Sequence, residues 1–278
     1  MKFKYIFILI LLYGYVCGKC PDDCAQPVFI YESFQCKPIC NNLNSDCPTQ
    51  YNCSHINAQP NTCYFNGKHF NDGESVKNSL TWESCMGCSC EKLEPNIYDF
   101  LCYSAACANL VITEGCTAHH KLGLCCTSEE ICPPFQTCSV SGKTFEEGPK
   151  FYHPNDNCTK CTCDRGKDMN ATLKCEKQYC LDLLRNQNKI KRNCAPFYYN
   201  MPHDCCPSQW ICPEDDITYE NRTDVSSKTD IEAEPHCLFG NKSISKKEKF
   251  YSISYLGKIR CECIIPPYVT CSLSSDVQ

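Results

Sequence analysis

Hydrophobic residues form one long run near the start of the chain and are scattered between polar positions elsewhere. The run covers residues 5–16 and follows Lys2 and Lys4. A basic start, an apolar run of this length and small residues before Lys19 are typical of a secretory signal peptide, which we predict over residues 1–18. The run is shorter than the about 20 residues that cross a membrane, and no later stretch is apolar enough. We therefore expect a secreted, extracellular protein without a membrane span.

Cysteine is the most informative residue type in this composition. The 278 residues contain 31 cysteines, a share above the roughly 8–10% that marks a disulfide scaffold. Removing the signal peptide removes Cys17, for which a lipoprotein anchor is the weaker alternative because Val16 is a poor residue before such a cysteine. The remaining apolar residues are thinly spread. The sequence therefore predicts small disulfide-rich modules, mostly β with little regular structure, and no large hydrophobic core.

Two stretches, CMGCSC at Cys85–Cys90 and CTKCTC at Cys158–Cys163, share the spacing C-x-x-C-x-C. In a reducing compartment this spacing indicates zinc or an iron–sulfur cluster, whereas in a secreted chain it indicates disulfides. The predicted secretion favours disulfides, and neither a metal nor another cofactor is expected. The adjacent His119 and His120 lack a third ligand, so we expect them at the surface.

Alignment of the sequence with itself reveals two long copies of one ten-cysteine pattern, residues 63–132 and 138–212. Both begin C-x3-G-x2-F-x2-G, continue to C-x-x-C-x-C and close with C-C-x5-C. The cysteines of the first repeat are Cys63, Cys85, Cys88, Cys90, Cys102, Cys107, Cys116, Cys125, Cys126 and Cys132. Those of the second are Cys138, Cys158, Cys161, Cys163, Cys175, Cys180, Cys194, Cys205, Cys206 and Cys212.

Intervals that are the same in both repeats predict paired backbone, and intervals that differ predict surface loops. The interval between the sixth and seventh cysteines differs, and in the second repeat it carries LDLLRNQNKIKRN. We expect one or two short helical turns there. The alternation in CTCD and ATLKC, on either side of RGKDMN, predicts a β-hairpin in the second repeat.

Three further segments complete the organisation. Residues 237–271 form a shortened third copy, which lacks the first cysteine of C-x-x-C-x-C and the whole rear half. Residues 213–236 hold eight acidic and two basic residues without apolar periodicity, which predicts a flexible linker. Residues 19–62 are a cysteine-rich segment whose CPTQYNC matches CPSQWIC in form, as in a degenerate rear half, although its other spacings do not align. Its cysteines are Cys20, Cys24, Cys36, Cys40, Cys47 and Cys53.

The repeated pattern resembles the von Willebrand factor type C domain, the cysteine-rich repeat of chordin-like proteins. The resemblance covers both full repeats and part of the third copy. It implies a small antiparallel β front half, an irregular rear half and five disulfides per full repeat, with the second cysteine bonded to the rear doublet. The third copy lacks both of those partners, so its remaining cysteines are expected to pair as Cys237–Cys263 and Cys261–Cys271. The tryptophan that the family often has after the second glycine is replaced by Val76 and Phe151.

Candidate sites for modification and for contacts are the remaining signals. Predicted N-glycosylation sites have the form N-x-[ST] and are Asn52, Asn157, Asn170, Asn221 and Asn241. We expect modification most at Asn170, in the predicted hairpin loop, and at Asn221, in the predicted linker. Tyr64 and Phe65 lie near the front edge of the first repeat and are the candidate ligand contacts, whereas Phe70 is expected to pack on the disulfides.

The composition and motifs also narrow the function. The formal net charge is −5 and the basic residues are scattered, which disfavours a nucleic-acid partner. We expect no enzyme, because the sequence contains neither a nucleophile elbow nor a phosphate loop. The resemblance implies binding of extracellular proteins, with dimeric growth factors of the bone morphogenetic protein and transforming growth factor-β class as ligands. A matrix or secretion-structural protein, a cysteine-rich protease inhibitor and a host-directed salivary or venom protein stay open as alternatives. The oligomeric state is not predicted.

Overall fold

The computed structural model describes most of the chain between Val28 and Leu273. The described residues are 28–40, 47–77, 85–127, 129–166, 171–201, 203–215, 217–219, 235–254 and 257–273. The predicted signal peptide lies outside them. So do Cys20, Cys24, Asn170 and Asn221.

Short β-strands dominate the structure, and the few helices are one or two turns long. The residues before the first repeat form α1 (Phe29–Ser33), β1 (Lys37–Ile39), β2 (Gln50–Asn52) and a 3-10 helix (Ser54–Asn57). The first repeat forms β3 (Cys63–Phe65), β4 (Lys68–Phe70), β5 (Met86–Glu94), β6 (Ile97–Ser104), β7 (Thr117–His119) and β8 (Glu129–Ile131).

The second repeat and the third copy continue in the same style. The second repeat forms β9 (Thr137–Val140), β10 (Lys143–Glu146), β11 (Phe151–His153), β12 (Asp156–Arg165), β13 (Ala171–Lys177), a 3-10 helix (Leu181–Asn186), α2 (Gln187–Lys191), β14 (Ala195–Tyr198) and β15 (Gln209–Ile211). After it come β16 (Ile217–Tyr219), β17 (Cys237–Phe239), β18 (Lys242–Ile244), β19 (Lys249–Ser254), β20 (Gly257–Glu262) and β21 (Thr270–Leu273).

Each front half consists of a short hairpin followed by a longer antiparallel sheet, β3–β4 with β5–β6 in the first repeat. The short hairpin turns at Asn66 and Gly67 in the first repeat and at Ser141 and Gly142 in the second. All four residues have positive φ, at 45°, 78°, 50° and 75° respectively. Two successive residues in this region produce the turn whose twist matches that of the paired strands. The first glycine of each repeat is therefore fixed by backbone geometry.

The rear halves share one small unit, a two-stranded hairpin that is closed at its base by a disulfide. In the first repeat β7 pairs with β8 between Cys116 and Cys132, and in the second β14 pairs with β15 between Cys194 and Cys212. The N-terminal segment has the same unit, because β1 pairs with β2 and Cys36 is bonded to Cys53. The described residues of this segment, 28–40 and 47–57, therefore form a rear half.

Disulfides follow one scheme in both full repeats: first to fourth cysteine, second to eighth, third to fifth, sixth to ninth and seventh to tenth. In the first repeat the bonds are Cys63–Cys90, Cys85–Cys125, Cys88–Cys102, Cys107–Cys126 and Cys116–Cys132. In the second repeat they are Cys138–Cys163, Cys158–Cys205, Cys161–Cys175, Cys180–Cys206 and Cys194–Cys212. In the third copy they are Cys237–Cys263 and Cys261–Cys271. Cys40 and Cys47 are disulfide-bonded as well.

The modules are not independent of one another. A six-stranded sheet, in the order β15-β14-β21-β20-β19-β16, joins the rear half of the second repeat to the third copy. Its edge strand β16 (Ile217–Tyr219) pairs with β19 and lies inside the segment predicted to be a flexible linker. That prediction is wrong for these residues, because Ile217 packs against the core of the third copy. Within the predicted linker, residues 216 and 220–234 lie outside the described residues.

Apolar side chains form three small clusters rather than one large core. One cluster unites the N-terminal rear half with the second repeat and the third copy, through residues such as Tyr31, Leu183 and Tyr268. The predicted fold class, small disulfide-rich modules of mostly short strands, is confirmed. Among the described residues no helix is long and apolar enough to cross a membrane.

Candidate binding surfaces

Tyr64 and Phe65, the predicted ligand contacts, are buried, so the prediction that they face a partner is wrong. The Tyr64 hydroxyl donates to the carbonyl oxygen of Phe34 at 2.8 Å, and its backbone N–H donates to Oε1 of Gln187 at 2.9 Å. Burial raises the pKa of the Tyr64 hydroxyl. Phe65 packs in a core with Leu184 of the second repeat. The residues that cover these two side chains are far away in the sequence, so the pattern of the first repeat does not predict their burial.

One exposed apolar surface of the first repeat lies on strand β6. Leu101 and Tyr103 are 62% and 66% exposed, whereas Phe100 is buried in the core. Alternate residues of a strand point to the same face, so Leu101 and Tyr103 share the outward face of the β5–β6 hairpin. The sequence does not predict this exposed face, because Phe100 and Leu101 are both apolar and the strand therefore shows no alternation of apolar and polar residues there.

Gly87 determines how Tyr103 lies on that face. The two residues are directly opposite each other in the β5–β6 ladder. A Cβ added at Gly87 would come within 2.2 Å of Cζ of the tyrosine ring. The ring therefore lies across the bare backbone of Gly87. Beside them, Leu101 is opposite Ser89, and the Cys88–Cys102 disulfide crosslinks the two strands between these pairs. The result is a rigid surface that presents Leu101 and Tyr103.

A second surface feature is a groove of about 770 Å³ between the rear half of the first repeat and the front half of the second. Nδ1 of His119 lies 2.9 Å from Oε1 of Glu129, and its Nε2 lies 3.7 Å from Oδ1 of Asp164. Lys174 donates to the other oxygen of Asp164 at 2.9 Å. His119 is buried, so the expectation of a surface histidine is wrong at this position. The cluster holds the two repeats against each other.

An ion pair between Arg165 and Glu147 lies close to this groove. Burial, the largest single influence, raises the pKa of Glu147, but the hydrogen bond and charge of Arg165 and a backbone hydrogen bond from Gln136 together outweigh it, and the pKa lies below its usual value. For Asp164 burial is also the largest single influence and raises the pKa, but the hydrogen bond and charge of Lys174, with smaller contributions from Thr162 and His119, together outweigh it, so this pKa is lowered too. Both carboxylates are therefore stabilised in their charged form.

The cysteine clusters that first suggested a metal do not offer thiolate ligands. The Sγ atoms of Cys85, Cys107, Cys125 and Cys126 lie within 4.8 Å of one another. Each of these sulfur atoms is bonded in a disulfide, and metals bind cysteine as the free thiolate. The motif that begins at Cys85 is thus part of the crosslinked framework.

Three of the predicted glycosylation sites lie among the described residues. Asn52 and Asn157 are exposed on strands β2 and β12, and Asn241 is exposed in the turn between β17 and β18. Oδ1 of Asn52 accepts the backbone N–H of Ser54 at 3.0 Å, and Nδ2 of Asn157 donates to the carbonyl oxygen of His203 at 3.3 Å. Asn241 makes the best-presented site of the three. Modification at all five positions stays a prediction.

Repeated small β modules in which every described cysteine is disulfide-bonded define a cysteine-rich protein of the extracellular type. Over 160 residues, 57% of its length, the chain is 27% identical to Extracellular matrix organizing protein FRAS1 of Homo sapiens. Over 136 residues, 45% of its length, it is 28% identical to Cysteine-rich motor neuron 1 protein of Mus musculus. The matched regions span 3% and 12% of these relatives. No family profile and no solved structure matches the chain.

Proposed function

We propose that this protein is an array of von Willebrand factor type C modules that binds other extracellular proteins and has no catalytic role. The identical disulfide scheme of the two full repeats supports the module assignment, because in each repeat the first-to-fourth bond closes the β front half and the second-to-eighth bond connects it to the rear doublet. As ligands we propose dimeric growth factors of the bone morphogenetic protein and transforming growth factor-β class, kept from their receptors or delivered to them.

The observation that carries a binding function is the exposed pair Leu101 and Tyr103. Tyrosine is enriched at the centres of protein interfaces, where a rigid, largely apolar side chain becomes buried at small entropic cost. The hairpin that bears the pair is held by the Cys88–Cys102 disulfide and is attached to the rear half by Cys85–Cys125. A surface that is rigid before binding loses little conformational entropy in the complex, which favours affinity.

The packing of the modules supports an avidity mechanism. The second repeat and the third copy share a sheet, and the first repeat shares a core with the second. The binding face is therefore presented in a fixed orientation. A dimeric ligand with two equivalent sites could bring two such faces together, and the second contact would then form at a high effective concentration.

The test is binding of the purified, fully oxidised protein to immobilised bone morphogenetic proteins and activins. The double substitution Leu101→Ser with Tyr103→Ser removes the apolar face. Ile253→Ser is the matched control, because Ile253 is 69% exposed but lies on the third copy. We expect saturable binding that weakens by about tenfold or more in the double variant and stays unchanged in the control. An absence of binding across the panel would reject this class of ligand.

A second candidate function is organisation of the extracellular matrix. It is favoured by the match to a protein whose name is Extracellular matrix organizing protein FRAS1. In the same assay, immobilised laminin and collagen take the place of the growth factors. Saturable binding to matrix proteins, with none to growth factors, would make this the better assignment.

A further inference from the structure

The three front halves carry apolar residues at equivalent positions, but in the part of the chain that the structure describes only two of the three sets are fully buried. The positions are two, seven and thirteen residues after the first cysteine and two residues before the fifth. In the first repeat they are Phe65, Phe70, Val76 and Phe100, all at most 5% exposed. In the third copy they are Phe239, Ile244, Phe250 and Val269, all buried. In the second repeat they are Val140, Phe145, Phe151 and Leu173, all only half-buried.

The cover of the first repeat comes from the segment between the sixth and seventh cysteines of the second repeat. Leu181 and Leu184 of this segment join the core of the first repeat's front half. Next to them, the backbone N–H groups of Gln187 and Asn188 point to the carboxylate of Asp99 at 3.2 and 3.4 Å. We name such a segment a plug, here residues 181–191, and the four apolar positions that it covers a socket.

The corresponding segment of the first repeat, residues 108–115, is a plug without a socket among the described residues. Its apolar side chains Leu110, Val111 and Ile112 are 40%, 89% and 36% exposed. The segment is nevertheless held in place, because the backbone N–H and the hydroxyl of Thr113 donate to Glu130 at 2.8 and 3.0 Å. An exposed apolar segment that is fixed in this way is typical of an interaction surface.

Among the described residues there is thus one exposed plug, in the first repeat, and one socket that is only half-buried, in the second. The described parts of the plug and the socket do not meet, because the rear half of the first repeat lies against another side of the second, where Gly148 faces Thr117 and His119 faces Asp164. Charge is complementary as well. Glu114 extends the plug, and Lys143 is directly opposite Val140 of the socket.

We propose that the plug of the first repeat (Leu110 to Ile112) docks into the socket of the second repeat in another copy of this chain. The contact would repeat between copies the one that Leu181 and Leu184 make within the chain. The partner is therefore a second copy, and the protein self-associates through this face. The surface is separate from the Leu101–Tyr103 face, so growth-factor binding and self-association can fail independently.

Sedimentation equilibrium of the purified protein, from about 1 to about 100 µM, tests the proposal. Val111→Glu places a charge on the plug, and Leu173→Glu places one in the socket. Ile253→Glu is the matched control on the third copy. We expect reversible association of the wild type and of the control, and monomers for both other variants. An equimolar mixture of the two monomeric variants should regain a heterodimer, because one supplies an intact socket and the other an intact plug.

Mass spectrometry of the intact, alkylated variants verifies that no free thiol has appeared. If Leu173→Glu fails this check, Lys143→Glu is the substitute, because its side chain is exposed beside the socket. A wild type that stays monomeric over the whole range overturns the proposal, even if Val111→Glu weakens binding to a different protein. So does association that Val111→Glu leaves unchanged, or a mixture of variants that stays monomeric.

Discussion

The phenolic hydroxyl of Tyr31 donates a hydrogen bond to the backbone carbonyl oxygen of Ile265, 234 residues further along the chain. The Tyr31 ring also stacks in parallel on Tyr51, with the ring centroids 4.3 Å apart. From Tyr51 the backbone N–H donates to the carbonyl oxygen of Pro266 at 2.9 Å. The N-terminal rear half is thus docked on the front half of the third copy.

Removal of the Tyr31 hydroxyl should destabilise this docking. In Tyr31→Phe the carbonyl oxygen of Ile265 loses a buried donor, which costs about 1–3 kcal/mol of unfolding free energy. Urea unfolding of the oxidised protein, followed by tyrosine and tryptophan fluorescence, measures the change. Tyr152→Phe is the control, because Tyr152 is 53% exposed, and it should unfold like the wild type. Equal midpoints for the two variants would contradict the importance of the Tyr31 contact.

Cleavage between residues 219 and 235 should leave the third copy bound to the rest of the protein. The four cysteines of the third copy pair with one another, so no disulfide ties it to the preceding modules. It is held by the parallel pairing of β14 with β21 and by the shared apolar cluster that includes Phe197 and Phe250.

An engineered protease site in this segment makes that measurement possible. Size-exclusion chromatography without reductant should show one peak in buffer and two peaks in about 6 M urea. A mutant with Phe197→Ser should release the fragment already in buffer, because it loses a fully buried contact. Separation of the wild-type fragments in buffer would mean that the shared sheet is not enough to hold them.

Motifs and residue alternation predict the structural features that form between residues close together in the sequence. They do not predict the burial of a side chain that is covered by a residue far away in the sequence. The resemblance to the type C domain implies the bonds Cys237–Cys263 and Cys261–Cys271, and alternation predicts the hairpin of β12 and β13. The burial of Tyr64 depends instead on Phe34 and Gln187, 30 and 123 residues away. The repeats also differ in burial in a way that their common pattern does not show, because equivalent apolar positions are fully buried in one copy and only half-buried in another.

The sequence also gives little indication that the N-terminal segment is a rear half. CPTQYNC contains the one local match, because its last cysteine closes the hairpin of β1 and β2 through Cys36–Cys53. The spacing around Cys40 and Cys47 differs from the doublet of the full repeats, so alignment on spacing cannot extend further. The strand pairing reveals the relation that the spacing obscures.

Acid should destabilise the second repeat on the side where it meets the first. The pKa values of Glu147 and Asp164 are lower in the folded protein than their usual values, so the unfolded chain takes up protons first as the pH falls. Their stabilisation is complete above about pH 4.5 and is lost as the pH falls through the folded-state pKa values. Glu147→Gln should flatten the dependence of the urea midpoint on pH between about 3 and 6. An unchanged slope in this variant would contradict the role of Glu147.

Substitution of Gly87 should weaken ligand binding without weakening the fold. In Gly87→Ala the new Cβ occupies the place of the Tyr103 ring, which must turn away. Because Tyr103 is exposed, the ring can move freely, and the unfolding free energy should change by less than about 0.5 kcal/mol. Affinity for the ligand should nevertheless fall by an amount similar to that in Tyr103→Ser, since both variants lose the same presented ring. Full affinity in Gly87→Ala, alongside a loss in Tyr103→Ser, would show that the tyrosine acts in a position other than the one across Gly87.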